Sequence, residues 1–356
     1  MNPISLAWLL PLGRILKTSE QVSSFRFLLD LKHIVQAQLA LRNKRTYLPS
    51  LFAHYTVNSV CNLRCSYCYV HQPVIFPEGF SQTGLPLPRA QKVLKTLRQE
   101  CVMLRLQGGE PLLYPDILEL ISYAKQNLKY WNVSLITNGL ALLKSLKQCK
   151  EFLKHLDILT ISLDQTRMMQ YPDLMEQLIY FLPKLGRLCK RNKVTLTCNY
   201  TATWEELSHP DRVEKTIESY LPFFPAFYVT PVRLAGKTPL PLLRNSVQLN
   251  RKFSLGRFAG PAYPKQENVQ WYQEHCDPKL KIKIDAEGGL IYPCENHATS
   301  IGSLETHTIK ELWLKQPVQY PNESCMGCGK QRFRSYAFKR IRTVLVIAKN
   351  LRSARK

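Results

Sequence analysis

The sequence has few acidic residues and no long hydrophobic run. Lysine and arginine number 49 against 26 aspartate and glutamate residues, so the 356-residue chain carries a formal net charge of +23. No apolar stretch reaches the roughly 18–20 residues that a helix needs to cross a bilayer. The longest, residues 4–16, is interrupted by Pro11, Gly13 and Arg14 and lacks the flanks of a secretory signal. A cytoplasmic location is therefore expected.

The cysteines do not suit a disulfide framework. There are eleven, an odd number, and their spacing is uneven. In a cytosolic chain such cysteines favour metal ligation or catalysis. Hydrophobic residues make up 45% of the chain, which is normal for a globular protein and excludes a disordered or collagen-like one. The length suits one large domain with a smaller one.

Short β-branched runs alternate with helical patterns between Phe52 and Arg233. This alternation predicts βαβ units and a parallel sheet. Six strands of this kind suit an open or partial barrel, with function expected at the carboxyl ends of the strands. Pro115, Pro172 and Pro210 stand where helices would begin. The predicted strands are 52–59, 102–107, 133–137, 158–164, 194–201 and 226–233.

Three cysteines follow the first predicted strand, in the order Cys61-Asn-Leu-Arg-Cys65-Ser-Tyr-Cys68. Thiolates at these spacings on a loop can bind three corners of a cubic iron–sulfur cluster, which leaves the fourth iron without a protein ligand. An open coordination position is typical of a catalytic site, whereas four ligands close a structural one. A structural zinc site is the alternative, although zinc sites usually show paired CxxC elements.

This chain resembles the radical S-adenosylmethionine (SAM) superfamily, because Cys61, Cys65, Tyr67 and Cys68 match its CxxxCxΦC signature. Four further elements follow in family order at successive strands: Gly108–Pro111, Thr137-Asn138-Gly139, Ser162-Leu163-Asp164 and Asn199. Taken singly, these elements could be turns or helix caps. The resemblance implies cofactor-binding roles for Tyr67, Gly108, Gly109, Glu110, Pro111, Thr137, Asn138, Ser162, Asp164 and Asn199.

The resemblance also implies a fold and a reaction. The fold would be a partial (β/α)6 TIM-like barrel of α/β class. A reduced [4Fe–4S] cluster would cleave SAM to a 5′-deoxyadenosyl radical, and that radical would abstract hydrogen from an unidentified substrate. Within the GGEP-like element Gly108–Pro111, Glu110 would hold the methionyl ammonium, and the glycines would let the backbone approach a ligand. The electron would come from a donor such as flavodoxin or ferredoxin.

A second cysteine cluster lies near the C-terminus and resembles the auxiliary-cluster segment of SPASM/twitch radical SAM enzymes. Four cysteines would close one auxiliary [4Fe–4S] cluster in a small α+β domain, and a structural zinc ion held by the same four thiolates is the alternative. Its predicted ligands are Cys276, Cys294, Cys325 and Cys328. The predicted organisation is a basic helical extension (1–50), the radical SAM core (51–235), a linker or lid (236–273), the twitch domain (274–330) and a basic amphipathic helix (331–356).

The two ends of the chain concentrate the positive charge. Residues 1–60 carry a net charge of +5, and residues 329–356 carry ten basic residues and no acidic one. Basic amphipathic segments can bind an anionic membrane, which suggests a peripheral enzyme at the inner membrane face with a lipid or isoprenoid substrate. The alternative is that both ends pack on the barrel with solvated basic faces.

Two other functions compete with this one. Many SPASM/twitch relatives modify ribosomal peptides, although the short helical N-terminal segment offers no obvious room for a fused leader-binding domain. A basic nucleic-acid-binding protein with structural metal sites would suit the +23 charge. That function is not expected, because the chain lacks interleaved aromatic residues and the GGEP-like element would have no role.

Overall fold

The computed structural model describes residues 52–68, 83–144, 146–232, 281–291 and 300–315, with residues 30, 32, 245, 246, 248, 249, 252 and 253. The second cysteine cluster, Cys276, Cys294, Cys325 and Cys328, lies outside the described residues. So do nearly all of the N-terminal extension, the basic C-terminal helix and most of the predicted linker. The predicted domain boundaries therefore remain predictions.

Nine strands form one sheet, and the first six confirm the predicted strands to within two residues at each end. The exception is that the first strand stops three residues early, before the cysteine loop. The strands are β1 (Phe52–Thr56), β2 (Met103–Gln107), β3 (Asn132–Thr137), β4 (Ile158–Ser162), β5 (Thr195–Ala202), β6 (Phe227–Pro231), β7 (Lys281–Ile284), β8 (Gly289–Ile291) and β9 (Ser300–Ser303).

Helices connect the parallel strands, as the alternating pattern predicts. Two of them begin at the expected prolines, Pro172 and Pro210, whereas the helix expected at Pro115 starts two residues later. Among the described residues no helix is long and apolar enough to cross a membrane. The helices are α1 (Leu87–Leu97), α2 (Ile117–Ser122), α3 (Leu140–Lys144), α4 (Leu146–Leu153), α5 (Gln165–Gln170), α6 (Pro172–Arg191), α7 (Trp204–Ser208), α8 (Pro210–Tyr220) and α9 (Ile309–Lys315).

The strand order is β6-β5-β4-β3-β2-β1-β7-β8-β9. Strands β1 to β6 are parallel, which confirms the predicted parallel α/β core. The sheet does not end at β1, because β7 pairs with it in parallel, and β8 and β9 follow antiparallel. The strands expected in a separate C-terminal domain thus extend the same sheet.

The sheet is curled rather than flat. The guanidinium of Arg105 on β2 lies 5.9 Å from the ring centre of Tyr228 on β6, although these strands are four positions apart in the sheet. In a flat sheet four steps would separate them by about 19 Å. The contact therefore requires the strands to curve around a common interior, as in a partial barrel.

Side chains alternate between the two faces of this sheet. On β1, Ala53 and Tyr55 are fully buried in the apolar core with the helices, while His54 lines the interior of the barrel. On β2, Leu104 and Leu106 pack outward in the same core and Arg105 and Gln107 point inward. Because strand side chains alternate with period two, the apolar set covers the outside and the polar set lines the interior.

The pairing of β1 with β2 continues past the ends of both strands. The backbone N–H of Val57 donates to Gln107 (2.8 Å), Gly109 donates to Asn58 (3.0 Å), and Glu110 donates to Val60 (2.7 Å). A Cβ atom on Gly109 would lie 2.4 Å from the Val60 carbonyl oxygen. The glycine therefore allows the segment before Cys61 to pack directly on the end of β2.

Replacing Gly109 with alanine should destabilise the protein, because the new methyl group meets backbone that cannot move aside locally. Overpacking of this kind costs about 1–3 kcal/mol. Gly186→Ala in α6 is the matched control, since no group beyond the backbone of its own helix turn lies within 4 Å of an added Cβ. Alanine also favours a helix by about 1 kcal/mol over glycine. Thermal unfolding should show a lower melting temperature for Gly109→Ala and an unchanged or higher one for Gly186→Ala. An unchanged melting temperature for Gly109→Ala would contradict the packing described.

Candidate active site

A cavity of about 290 Å³ lies at the carboxyl ends of the parallel strands, where the barrel prediction placed the function. All three cysteines of the first cluster line it. Two predicted cofactor-binding residues, Pro111 and Asp164, do not line it. The predicted residues that do are Tyr67, Gly108, Gly109, Glu110, Thr137, Asn138, Ser162 and Asn199.

The cysteine loop presents its thiols to this cavity from one side. Cys65 is buried and Cys61 and Cys68 are half-buried. The N–H of Cys68 donates to the carbonyl of Cys65 (2.9 Å), which closes a tight turn. Burial raises the pKa of the Cys61 thiol, although the Leu63 N–H opposes the shift. Metal binding must therefore displace a proton from this thiol.

The spread of the thiols bears on which metal they suit. Among the described residues, no three histidine, cysteine, aspartate or glutamate side chains converge on the position of one ion. Three thiols that line one cavity suit a cluster, in which each cysteine binds its own iron. A structural zinc ion needs its ligands arranged tetrahedrally around a single centre.

Glu110 joins the ends of two strands. Its buried carboxylate accepts hydrogen bonds from the Leu112 N–H (3.0 Å), the Thr137 hydroxyl (2.7 Å) and the Asn138 N–H (2.8 Å). Burial nevertheless raises the pKa of this carboxyl group above its usual value. Three donors leave one of the four lone pairs of the carboxylate, on Oε2, without a partner from this set. Glu110 can thus accept one more hydrogen bond from a group in the cavity.

Asn138 links the strand end to the cysteine loop. Its side-chain amide donates to Asn62 (2.7 Å) and lies 4.0 Å from the Cys61 sulfur. Thr137 and Asn138 each also bond within the following turn, to Gly139 and Leu140 respectively. The turn interpretation of Thr137-Asn138-Gly139 is therefore correct, and both polar residues line the cavity as well.

Asp164 does not line the cavity but holds two residues that do, Tyr67 and Arg167. It caps the N-terminus of α5 by accepting from the Arg167 N–H (3.0 Å), as the helix-cap alternative predicted. Its other oxygen accepts from the Tyr67 hydroxyl (2.6 Å) and from the Arg167 guanidinium. Burial lowers the pKa of the Arg167 guanidinium, but Asp164, Tyr67 and Cys65 together raise it above its usual value. Arg167 lines the cavity beside the cysteines and was not predicted.

Residues at the junction of α5 and α6 also hold the cysteine loop. The Arg64 N–H donates to the Tyr171 hydroxyl (2.7 Å), and the Ser66 N–H donates to the Gln170 side chain (3.1 Å). Together with the bond from Tyr67 to Asp164, these contacts fix three positions of the loop from residues about a hundred positions later. No sequence motif signals them.

Most residues of the floor and far wall of the cavity were not predicted from the sequence. Basic side chains at the floor come from His54, Arg105 and Lys283. On the far wall, the Asn199 carbonyl accepts from Thr230 (3.0 Å) and its amide donates to Thr201 (3.3 Å). The alternation of polar and apolar residues in β2 and β7 is the signal that could have identified Arg105 and Lys283 as interior residues.

Comparison with known proteins agrees with this geometry. Residues 55–175 match the Radical SAM superfamily. Among curated proteins, a probable GTP 3′,8-cyclase of Methanococcus maripaludis is 32% identical over 120 residues, covering 33% of this chain and 37% of that protein. A GTP 3′,8-cyclase of Limosilactobacillus fermentum is 34% identical over 125 residues, covering 32% and 33%. The chain thus matches about a third of the length of these relatives.

Solved structures share the fold over a longer stretch. SuiB of Streptococcus suis has a TM-score of 0.54 at 16% identity, covering 92% of this chain and 82% of that one. Native anSMEcpe with bound AdoMet has a TM-score of 0.53 at 16% identity, covering 83% and 99%.

The family match covers the cysteine loop, Glu110, Asn138 and the Asp164 cap, which the structure brings together around one cavity. Residues 55–175 therefore match a radical SAM domain both in sequence and in the arrangement of the site residues.

Proposed function

We propose that the chain is a radical SAM enzyme that cleaves SAM reductively and abstracts hydrogen from a polar substrate bound in the barrel. The observation that carries this proposal is the meeting of three thiols with the ends of β2 and β3 in one cavity. When bound, a reduced [4Fe–4S] cluster and SAM together supply a radical able to break a C–H bond. The chain's own residues position these groups and restrict the access of water.

Glu110 is the residue that would hold the methionyl ammonium. Its remaining lone pair points to an additional donor, and burial raises its pKa although the Arg167 charge and three hydrogen bonds lower it. An ammonium group would supply both a hydrogen bond and a compensating charge. The bonds from Thr137 and Asn138 fix the orientation of the carboxylate before the ammonium arrives.

The cysteine loop must keep three thiols at fixed positions for a cluster to bind. The bonds from Arg64, Ser66 and Tyr67 to residues 164–171 restrict the backbone between the cysteines. A restrained loop loses less conformational entropy when it binds the cluster. These distant residues therefore act as positioning residues for the thiols.

We propose an auxiliary [4Fe–4S] cluster bound by Cys276, Cys294, Cys325 and Cys328, on the strength of their number and the SPASM/twitch resemblance. A one-electron donor such as flavodoxin or ferredoxin would reduce the catalytic cluster. Both proposals depend on the sequence alone.

The substrate is proposed to be polar. The cavity lining includes Gln107, Asn199, Thr201 and Thr230 and the basic floor, and burying such groups against hydrocarbon would cost free energy. This lining disfavours the lipid or isoprenoid substrate suggested by the basic ends. Peripheral membrane binding remains a sequence-based hypothesis, which liposome flotation of the full chain against one ending at Gly329 would test.

A nucleotide is the second candidate, because the matched curated relatives are named GTP 3′,8-cyclases. Their similarity to this chain covers about 120 residues. Adding GTP to the reduced protein with SAM, and analysing the products by mass spectrometry, separates a nucleotide substrate from a peptide one.

Cys65→Ala should remove the catalytic cluster and abolish SAM cleavage. Anaerobic reconstitution of the wild-type protein should give about eight irons per chain, and the variant should retain about four. Cys149→Ala is the control, since Cys149 is a buried cysteine outside the cavity. It should keep both the iron and the formation of 5′-deoxyadenosine. SAM cleavage by Cys65→Ala would refute the catalytic assignment, and about four irons in the wild type would refute the auxiliary cluster.

Tyr171→Phe should weaken the hold on the cysteine loop without removing a ligand. Loss of one hydrogen bond, worth about 1 kcal/mol, should speed the release of iron to a chelator by roughly fivefold. Tyr180→Phe is the matched control, because Tyr180 lies on α6, the helix that begins directly after Tyr171, and is 89% exposed. The release rate is measured from the loss of absorbance at the cluster band. Equal rates for the two variants would show that the contact between Tyr171 and Arg64 does not restrain the loop.

A further inference from the structure

Three basic side chains lie side by side on the floor of the cavity. In the strand register, His54 of β1 is paired with Arg105 of β2 on one side and with Lys283 of β7 on the other. All three line the cavity. Since neighbouring strands are about 4.8 Å apart, the row spans about 10 Å. It lies across the barrel floor, apart from the cysteine loop at the strand ends.

Arg105 is the member of this row that most needs a ligand. Among the described residues no carboxylate forms an ion pair with it, and its buried Nε atom has no hydrogen-bond partner. Its guanidinium instead contacts the rings of Phe52 (5.4 Å) and Tyr228 (5.9 Å). Burial lowers the pKa of Arg105, because the charge is desolvated. A half-buried guanidinium whose Nε atom is out of contact with water is costly unless an anion compensates it.

Arg167, the arginine at the opposite end of the cavity, differs from Arg105 because it has a carboxylate partner. Arg167, near the cysteines, is paired with Asp164, so its charge is balanced within the protein. Glu110 lies at the end of β2 and already accepts three hydrogen bonds from β3 and its own loop. Arg105 on the floor thus differs from Arg167, since no carboxylate among the described residues pairs with it.

The aromatic contacts also prepare Arg105 for an anion. Rings stacked against the guanidinium restrict its rotation and leave its N–H edge available. A planar guanidinium presents pairs of N–H groups that match the two oxygens of a carboxylate or phosphate. Lys283 and His54 can add a charge and a hydrogen bond on either side.

We propose that the substrate carries an oxyanion, a phosphate or carboxylate group, which binds to the row formed by Arg105, His54 and Lys283. This inference rests on the proposed function, since it takes the cavity to be the substrate site. The row would set the depth at which the substrate enters, so that the carbon to be attacked lies between the floor and the cysteine loop. An uncharged substrate would leave the half-buried guanidinium uncompensated and would bind poorly.

The test uses full-length, anaerobically reconstituted protein, first without and then with saturating SAM. Binding of two probes, pyrophosphate and succinate, is measured by isothermal titration calorimetry at constant ionic strength. At least one probe should bind the wild type. Arg105→Gln should weaken that binding tenfold or more, and Arg105→Lys by less. Arg187→Gln, which removes an exposed arginine from α6, should have no effect. Binding of pyrophosphate alone indicates a phosphate-bearing substrate, and binding of succinate alone indicates a carboxylate-bearing one.

Three results would overturn the proposal: no binding of either probe to the wild type, equal binding by Arg105→Gln, or loss of probe binding when SAM is added. The last result would assign the row to the cofactor. If Arg105→Gln fails to retain the cluster absorbance, Lys283→Gln decides in its place. SAM cleavage without probe binding refutes this inference alone, whereas probe binding without SAM cleavage refutes the proposed function and leaves the anion site standing.

Discussion

The buried carboxylate of Glu110 is the interaction on which the site depends. It accepts hydrogen bonds from the turn after β2 and from the end of β3, and its own backbone is paired with the segment that leads to Cys61. The Asn58 side chain adds a further bond to the Glu110 carbonyl (3.0 Å). One residue therefore sets the positions of two strand ends and of the cysteine loop. Removing its carboxylate would leave buried donors unsatisfied in three places.

The paired glycines have a structural role beside the expected one. Gly108 and Gly109 were expected to let the backbone approach a ligand, and both line the cavity. In the structure, a Cβ atom on Gly108 would lie 2.3 Å from the Asn58 side chain, and one on Gly109 would meet the Ser59 and Val60 carbonyls. The glycines thus admit the backbone of the neighbouring loop. The motif thereby also lets the chain bring the cysteines over the end of β2.

Local patterns could predict the strands, the parallel sheet and the residues at the strand ends, since each is encoded within a few consecutive residues. The contacts that complete the site could not be predicted in this way. Tyr171 and Gln170 reach the cysteine loop only because α5 and α6 follow β4 in the barrel. Lys283 joins the cavity because β7 pairs with β1, and no pattern near residue 283 indicates that partner. Pro111 and Asp164 are the opposite case: the family motifs predict that they bind the cofactor, but neither residue lines the cavity.

The positive charge of the chain lies in two places with different consequences. Most of the excess lies in the terminal segments, where it bears on which surfaces the protein can bind. A small part of it is inside the barrel, where charge has far greater energetic weight because water is scarce. At the cysteine loop the positive charge of Arg167 is balanced by the carboxylate of Asp164. At the floor, Arg105 contacts aromatic rings, which offset only part of the cost of desolvating a guanidinium. The resulting asymmetry gives the cavity a direction, with the cysteines at one end and a preference for negative charge at the other. A substrate with one anionic group can then bind in a single orientation, which is what a reaction at one chosen C–H bond requires.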